Sequence, residues 1–448
     1  MKHTILMGMG LLMSLSLNAQ QMLSLDAVKQ KALENNMKIH SADKAIEQAR
    51  EQKKEAYTNY FPQVQAVGMA MKTSKDMMKG EIKPSEVLPA SLAQVIPAEM
   101  AAMIPATIPY SMINHGVMAG VSVLQPVFMG GQIVNGNKLA KVGEEVAVLQ
   151  KQTSRNEVML TAEQYYWQIV SLKEKMKTLD AVSELLKKYE KDAEVAVKAG
   201  VGLRNDLLSV QLKQNEVESN RLKLENGLKL SRMVLAQYIG MEGQEVDVSA
   251  NIPSGELPPY PSLLADDHQT IVNTPEYQLL QKNVEATALQ RKMESGKMLP
   301  SVAVGAGYNY FNMGSSINNN FGAVFATVSI PISKWWSNNH AVKRSQLAEE
   351  NAREQLEEST QLLKIRLQKS RNEVEEAYKQ LALSQKAIAQ SEENLRLNRD
   401  YYKAGTSTMN NLLEAQQKYQ QCRDGYTDAF AELQKKILDY KIVSNIEH

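Results

Sequence analysis

The sequence predicts a mixed α+β membrane protein in which long, coiled-coil-like helices and short strands are laid out twice along one chain. Three observations carry this. Lys198-Ala199-Gly200 and Asn205-Asp206-Leu207-Leu208 return as Lys403-Ala404-Gly405 and Asn410-Asn411-Leu412-Leu413, each 205 residues on. Apolar residues recur every seven positions, at Val158, Tyr165, Leu172, Leu179, Leu186 and Ala193, and again at Leu367, Val374, Leu381, Ile388, Leu395 and Tyr402. Between the helical stretches lie segments of about ten residues with alternating polarity, the length of a tilted membrane strand. The offset of 205 also joins Pro126 to Pro331 and Lys138 to Lys343, so the pattern reads as an internal two-fold duplication without insertions over that span.

Residues 1–20 read as a secretory signal peptide. Lys2 and His3 precede an apolar run from Ile5 to Leu17, with Ala19 and Gln20 at the cut. The run barely suffices to span a bilayer, and no cysteine follows it to carry a lipid anchor.

The first repeat covers 21–240. It opens with a helix and continues into a strand hairpin over 62–126. Val117, Ala119, Val121 and Val123 give the returning strand its alternation, while Pro62 to Met71 is ambiguous. Within the hairpin, residues 72–113 hold Pro84, Pro89, Pro97, Pro105 and Pro109 with many methionines and read as a long surface loop. Its length explains a second offset. Phe61-Pro62-Gln63-Val64 resembles Leu299-Pro300-Ser301-Val302 at 238, which is 33 residues more than 205. A soft metal held by thioethers and a loop packed over the barrel mouth are both open readings of this segment.

A long helix over 137–197 follows, free of proline and of glycine except Gly143. About sixty residues at 1.5 Å each reach roughly 90 Å. A sustained seven-residue repeat keeps one seam facing a partner helix. A tip turn over 199–206 leads to a return helix over 207–239. Gly200 suits a left-handed exit from the first helix, and Asn205 and Asp206 suit capping of the next. A linker spans 241–274.

The second repeat covers 275–443: a helix, a strand hairpin over 300–331, a long helix over 340–403, a tip turn over 404–411 and a return helix over 412–443. Its strands alternate more clearly, with Val302, Val304, Ala306, Tyr308 and Tyr310 on one face, answered by Val324, Ala326, Val328 and Ile330.

Composition excludes several functions. Fifty-one Lys and Arg balance 50 Asp and Glu, which gives no basic face for nucleic acid. The six histidines are scattered, with no metal-site spacing, and the single Cys422 has no neighbouring histidine. No GxSxG, HExxH or phosphate-cradling glycine loop occurs. The chain is therefore expected to be no enzyme and to need no cofactor. No later segment has the apolar length of a transmembrane helix, so contact with a membrane falls to the strands. Four strands cannot close a barrel alone, and open edges are not tolerated in lipid, so the chain must associate.

Signal peptide, duplicated strand hairpins and duplicated turns together resemble the TolC-like outer-membrane efflux proteins, over about Leu23 to Val443. The most specific pieces are Tyr402-Lys403-Ala404-Gly405-Thr406 with Asn411-Leu412-Leu413-Glu414-Ala415-Gln416, and their partner from Gly200 to Gln211. The resemblance implies a homotrimer with a twelve-stranded barrel in outer-membrane lipid of a Gram-negative bacterium. The long helices would form a periplasmic α-barrel, belted around its middle by the linker and the C-terminus. It implies a passive exit duct for small molecules, opened by a periplasmic adaptor and an inner-membrane transporter that dock at the tip turns around Gly200, Asn205, Gly405 and Asn410. A type I protein-secretion duct is a second reading within the family, and a soluble periplasmic coiled-coil scaffold a third that leaves the strands unexplained.

In the family, polar contacts and acidic rings close the tip. By position, Asp206 matches a family aspartate, Tyr402 the gate tyrosine and Glu414 the second acidic ring. Asn411 and Ser407 stand where an aspartate and an arginine are expected, so the charged latch is at least partly missing. Arg204 is the candidate replacement cation, and Asp206 also reads as a helix N-cap. Tyr308, Tyr310, Trp335 and Trp336 fit an aromatic girdle at the membrane interface or core packing at the barrel–helix junction.

Overall fold

A computed structural model describes residues 21–446, apart from 76–77, 90–95, 98–99, 101–102, 113–114, 250–251, 254–256, 262, 264–266 and 314–316. The signal-peptide reading of 1–20 lies outside these residues, as does part of the proline- and methionine-rich segment. Along the chain, β1 (Gln21–Leu23), α1 (Leu25–Asn35) and α2 (Met37–Thr58) come first, followed by β2 (Gln63–Lys72) and the short β3 (Met78–Ile82), α3 (Pro84–Val87) and β4 (Ile108–Met112). Then come β5 (His115–Met129), α4 (Gln132–Lys198), α5 (Arg204–Tyr238), β6 (Val246–Val248) and α6 (Asp267–Val272). The second half holds α7 (Pro275–Gly296), β7 (Ser301–Met313), β8 (Ile317–Ser329), α8 (Lys334–Lys403) and α9 (Met409–Val443). The chain divides into two compact units. Among the described residues, one comprises 21–48, 145–282 and 353–446; the other comprises 49–144 and 283–352.

The unit of 49–144 and 283–352 is built around an antiparallel sheet ordered β2-β5-β7-β8. Its register puts the alternating apolar rows on one face. Val64 and Ala66 lie opposite Val123 and Val121, which lie opposite Ala306 and Tyr308. These in turn face Val324 and Gly322, while Val304 and Val302 meet Ala326 and Val328. Among these four strands the only Lys, Arg, Asp or Glu is Lys72, at the end of β2. The ambiguous segment after Pro62 is thus a full strand. The segment expected as a plain surface loop contains a second antiparallel pair, β3 with β4.

One ion pair occurs in both repeats of this unit. Lys53 Nζ meets Glu144 at 2.8 Å and Arg291 Nε meets Glu349 at 2.7 Å. The two pairs are related by the sequence offsets, 238 for the cation and 205 for the acid. Each joins the helix entering the sheet to the helix leaving it. Asparagine side chains do the same work, Asn137 donating to the Ala56 carbonyl at 2.9 Å and Asn338 to the Glu294 carbonyl at 2.6 Å. The long helices start at 132 and 334, ahead of the expected 137 and 340. Asn137 thus ties α2 to α4, and it also donates to the Ile133 carbonyl at 2.9 Å.

In the other unit the heptad residues form buried seams. Val158, Leu179, Leu186 and Ala193 of α4 and Leu367, Val374, Leu381 and Leu395 of α8 are all at most 5% exposed. Fully burying each large side chain is worth roughly 1.5–3 kcal/mol, which explains why the repeat persists. The linker is structured at both ends. β6 pairs in parallel with β1, and neither three-residue strand is foreshadowed by alternation. Tyrosine hydroxyls hold the linker against the helices: Tyr166 donates to the Ser249 carbonyl at 3.0 Å, Tyr426 to Pro253 at 2.8 Å and Tyr378 to Pro258 at 3.1 Å. Asp247 of β6, only 5% exposed, accepts from Lys173 at 2.9 Å and from Arg232 at 2.8 Å.

Candidate gate at the helix–helix turns

The two turns share one backbone. Gly200 has φ +75° and Gly405 φ +73°, the left-handed region in which a Cβ strains against the following carbonyl. Val201 N donates to the Ala196 carbonyl and Gly200 N to Val197, each at 3.0 Å. Thr406 N donates to Tyr401 at 2.9 Å and Gly405 N to Tyr402 at 3.0 Å. Both are the two-bond C-terminal motif that satisfies the last carbonyls of a helix.

The chain then enters the next helix sooner than the sequence suggested. Leu203 is the N-cap of α5, without a side-chain cap bond. Arg204, Asn205 and Asp206 are therefore its first three helical residues, and Asp206 is not the cap. Its carboxylate still lies in the first turn, where the helix dipole favours negative charge. The second copy corrects the same expectation. Thr408 caps α9 through its hydroxyl, which accepts from Asn411 N at 3.3 Å, and Asn410 and Asn411 follow inside the helix. The Asn411 side chain donates to the Ser407 hydroxyl at 3.1 Å. The two residues that stand where charges were expected are thus tied to one another.

Tyr402 of the second repeat lies within electrostatic range of Asp206 of the first. Tyr402 is half-buried against the cluster of Leu186, Ala193, Val210, Leu395, Met409 and Leu412. Burial pushes its hydroxyl above the ordinary tyrosine value, and the carboxylates of Asp206 and Asp192 push the same way. Asp192 was not foreseen: it sits on α4 with no motif around it. Arg204 is exposed and, among the described residues, makes no ion pair within the chain. Glu414 is exposed and lines a polar cleft of about 520 Å3 with Asn394, Asn398, Asn411, Lys418 and Gln421.

The aromatic candidates lie in the other unit. Tyr308 and Tyr310, 56% and 37% exposed, stand on the apolar face of the sheet. Trp335 and Trp336, 47% and 69% exposed, lie in the first turn of α8, not directly at the end of β8, and Trp335 Nε1 donates to the Met298 carbonyl at 2.9 Å.

A family model described as outer membrane efflux protein matches residues 28–241 and 268–436. The chain belongs to the outer membrane efflux protein family, whose place is the outer membrane with an extension into the periplasm. Solved structures share the fold. VceC from Vibrio cholerae aligns with a TM-score of 0.74 at 13% identity, covering 94% of this chain and 95% of its own. CusC aligns with a TM-score of 0.76 at 14% identity, covering 94% and 91%. The CmeC channel of Campylobacter jejuni gives a TM-score of 0.70 at 13% identity, covering 94% and 85%. No curated protein sequence gives a significant match.

Proposed function

We propose that this chain is one third of a passive outer-membrane exit duct. Three copies join the open edges of β2 and β8 into a twelve-stranded barrel, and their helices continue it as a periplasmic tunnel. An adaptor and an inner-membrane transporter dock at the turns around Gly200, Asn205, Gly405 and Asn410, and small molecules leave through the opened tip. The observation that carries this is the four-stranded sheet: the helix-side part of one face is apolar across all four strands, and both edges are unpaired among the described residues. Such a sheet is stable in lipid only when its edges are closed.

The turns supply the gate. Asp206 and Tyr402 of each copy gather near the axis, and a ring of carboxylates there favours cations while hydrogen bonds hold it shut. Arg204, which makes no ion pair among the described residues, would meet a carboxylate of the neighbouring copy, and the Ser407–Asn411 bond would replace a charged latch. In planar bilayers, Asp206→Ala and Tyr402→Ala are expected to raise single-channel conductance severalfold. Wild-type conductance in both variants would remove these residues from the gate.

A further inference from the structure

The sheet sits on a basic collar. In the fourteen residues next to the helix-side end of each strand, 49–62, 130–143, 287–300 and 330–343, ten lysines and arginines face three glutamates. The whole chain carries a net charge of only +1, and segment 73–114, beyond the other end of β2 and β5, has three lysines against four acids. The cationic excess therefore belongs to one rim of the uncharged sheet. Cationic side chains are attracted to acidic lipid surfaces at such a boundary.

On that rim α2 and α4 enclose a groove of about 870 Å3. Tyr57, Tyr60, Phe61 and Val134 give it an apolar floor, and Tyr57 packs edge-on against Phe61 at 5.5 Å between ring centres. All four are substantially exposed to solvent. Arg50, Lys53, Lys54, Lys138 and Lys141 surround the floor. Glu144 takes Arg50 and Lys53, at 3.2 and 2.8 Å, and Glu51 takes Lys54. Lys138 makes no ion pair among the described residues. The equivalent place in the second copy carries Ser295, Met298 and Leu299 instead of the three rings, so the groove is a feature of the first copy alone.

We propose that this groove binds one acidic phospholipid of the surrounding membrane, an acyl chain lying on Tyr57, Phe61 and Val134 and the phosphate facing Lys138. The inference rests on the barrel reading, which places the collar at headgroup depth. Aromatic floor and cationic rim together match a molecule that is apolar at one end and anionic at the other. A soluble anion needs no ring floor, and a protein surface would have to cover a floor ringed by five cations.

The full-length protein is reconstituted into nanodiscs of phosphatidylcholine, with and without phosphatidylglycerol, and co-purifying lipid is counted by native mass spectrometry. Wild type is expected to retain phosphatidylglycerol, and Lys138→Glu and Tyr57→Ala/Phe61→Ala to weaken its retention by roughly tenfold or more. Lys343→Glu, its counterpart in the second copy, is expected to leave retention unchanged. Equal loss in Lys343→Glu would show an unspecific collar and overturn the site. Competition by millimolar inorganic phosphate would show a free-anion site and also overturn it. So would an intermolecular disulfide between Lys138→Cys and Trp336→Cys, because the groove would then hold a neighbouring copy. Heat-modifiable migration and channel insertion of the same variants report barrel assembly separately.

Discussion

Replacing Asp247 with alanine tests how the linker is fastened to the helices. The carboxylate is 5% exposed and accepts from Lys173 Nζ at 2.9 Å, from Arg232 at 2.8 and 3.3 Å, and from the Val248 amide at 2.9 Å. Its removal strands two cations whose side chains are only 23% and 29% exposed. Breaking a buried pair from one side costs about 3–5 kcal/mol. Both cations keep some access to water, which lowers the expected loss to about 2–3 kcal/mol, or a fall in melting temperature of roughly 2–3 °C for a chain of this length. Burial alone would push the Asp247 carboxyl up, but the hydrogen bonds from Lys173, Val248 and Arg232 outweigh it and hold the group below its usual 3.8. Because its folded value is depressed, its contribution is complete above the unfolded value and is lost only as pH falls below it. The variant's deficit in a denaturant melt in detergent should therefore be the same at pH 5 and pH 8. A loss under about 0.5 kcal/mol, or one that shrinks as pH rises between those values, would refute the reasoning.

The remaining predictions concern the turns and one buried acid. A Cβ at Gly200 or Gly405 meets nothing within 4 Å, so Gly200→Ala and Gly405→Ala should each cost only the left-handed strain, about 1–2 kcal/mol, and should add in the double variant. Chemical melts check this, and a single cost above about 4 kcal/mol would mean a packing role that the open space denies. Burial pushes the Asp424 carboxyl up to about 6, with Asp428 adding to the shift and Lys175 and Arg423 opposing it. A raised carboxyl destabilises the fold as pH rises from about 4 to 6. Asp424→Asn should accordingly gain about 1 kcal/mol at pH 7.5, after allowance for partial exposure, and nothing at pH 4. A gain that is equal at both pH values would contradict it.

Much of the architecture was legible because it rests on periodic burial. The seven-residue spacing named Leu179, Leu186, Leu367 and Leu381, and these are among the largest fully buried side chains of the chain. The alternation of β7 survived in its register with β5 and β8. The parts that escaped have no period to announce them. β1 and β6 are three residues each, too short for alternation, and their pairing spans more than 220 residues of sequence. The caps misled because Asn205, Asp206, Asn410 and Asn411 are good capping residues, yet Leu203 and Thr408 occupy those places. At the turns, the family resemblance pointed to Tyr402 and Asp206, but the effect of the Asp206 and Asp192 carboxylates on Tyr402 depends on how the copies of the repeat pack.

The two copies of the repeat keep one ion pair beside the sheet and differ in the side chains of the turns. Lys53–Glu144 and Arg291–Glu349 preserve one ion pair through the duplication, because each strand hairpin must receive and release its helices in the same geometry if four strands are to continue one sheet. At the turns the backbone is equally well preserved, yet Arg204 and Asp206 of the first copy are Met409 and Asn411 in the second. Arg204 is exposed, while Met409 is fully buried in the apolar cluster beside Tyr402. An identical pair of turns would set like charges against like wherever they met. With one turn charged and the other holding an apolar side chain, Tyr402 of the second copy packs on the cluster that includes Met409 and feels the carboxylate of Asp206 from the first. The divergence after duplication thus leaves one turn with an exposed cation and the other with a buried methionine on the same backbone.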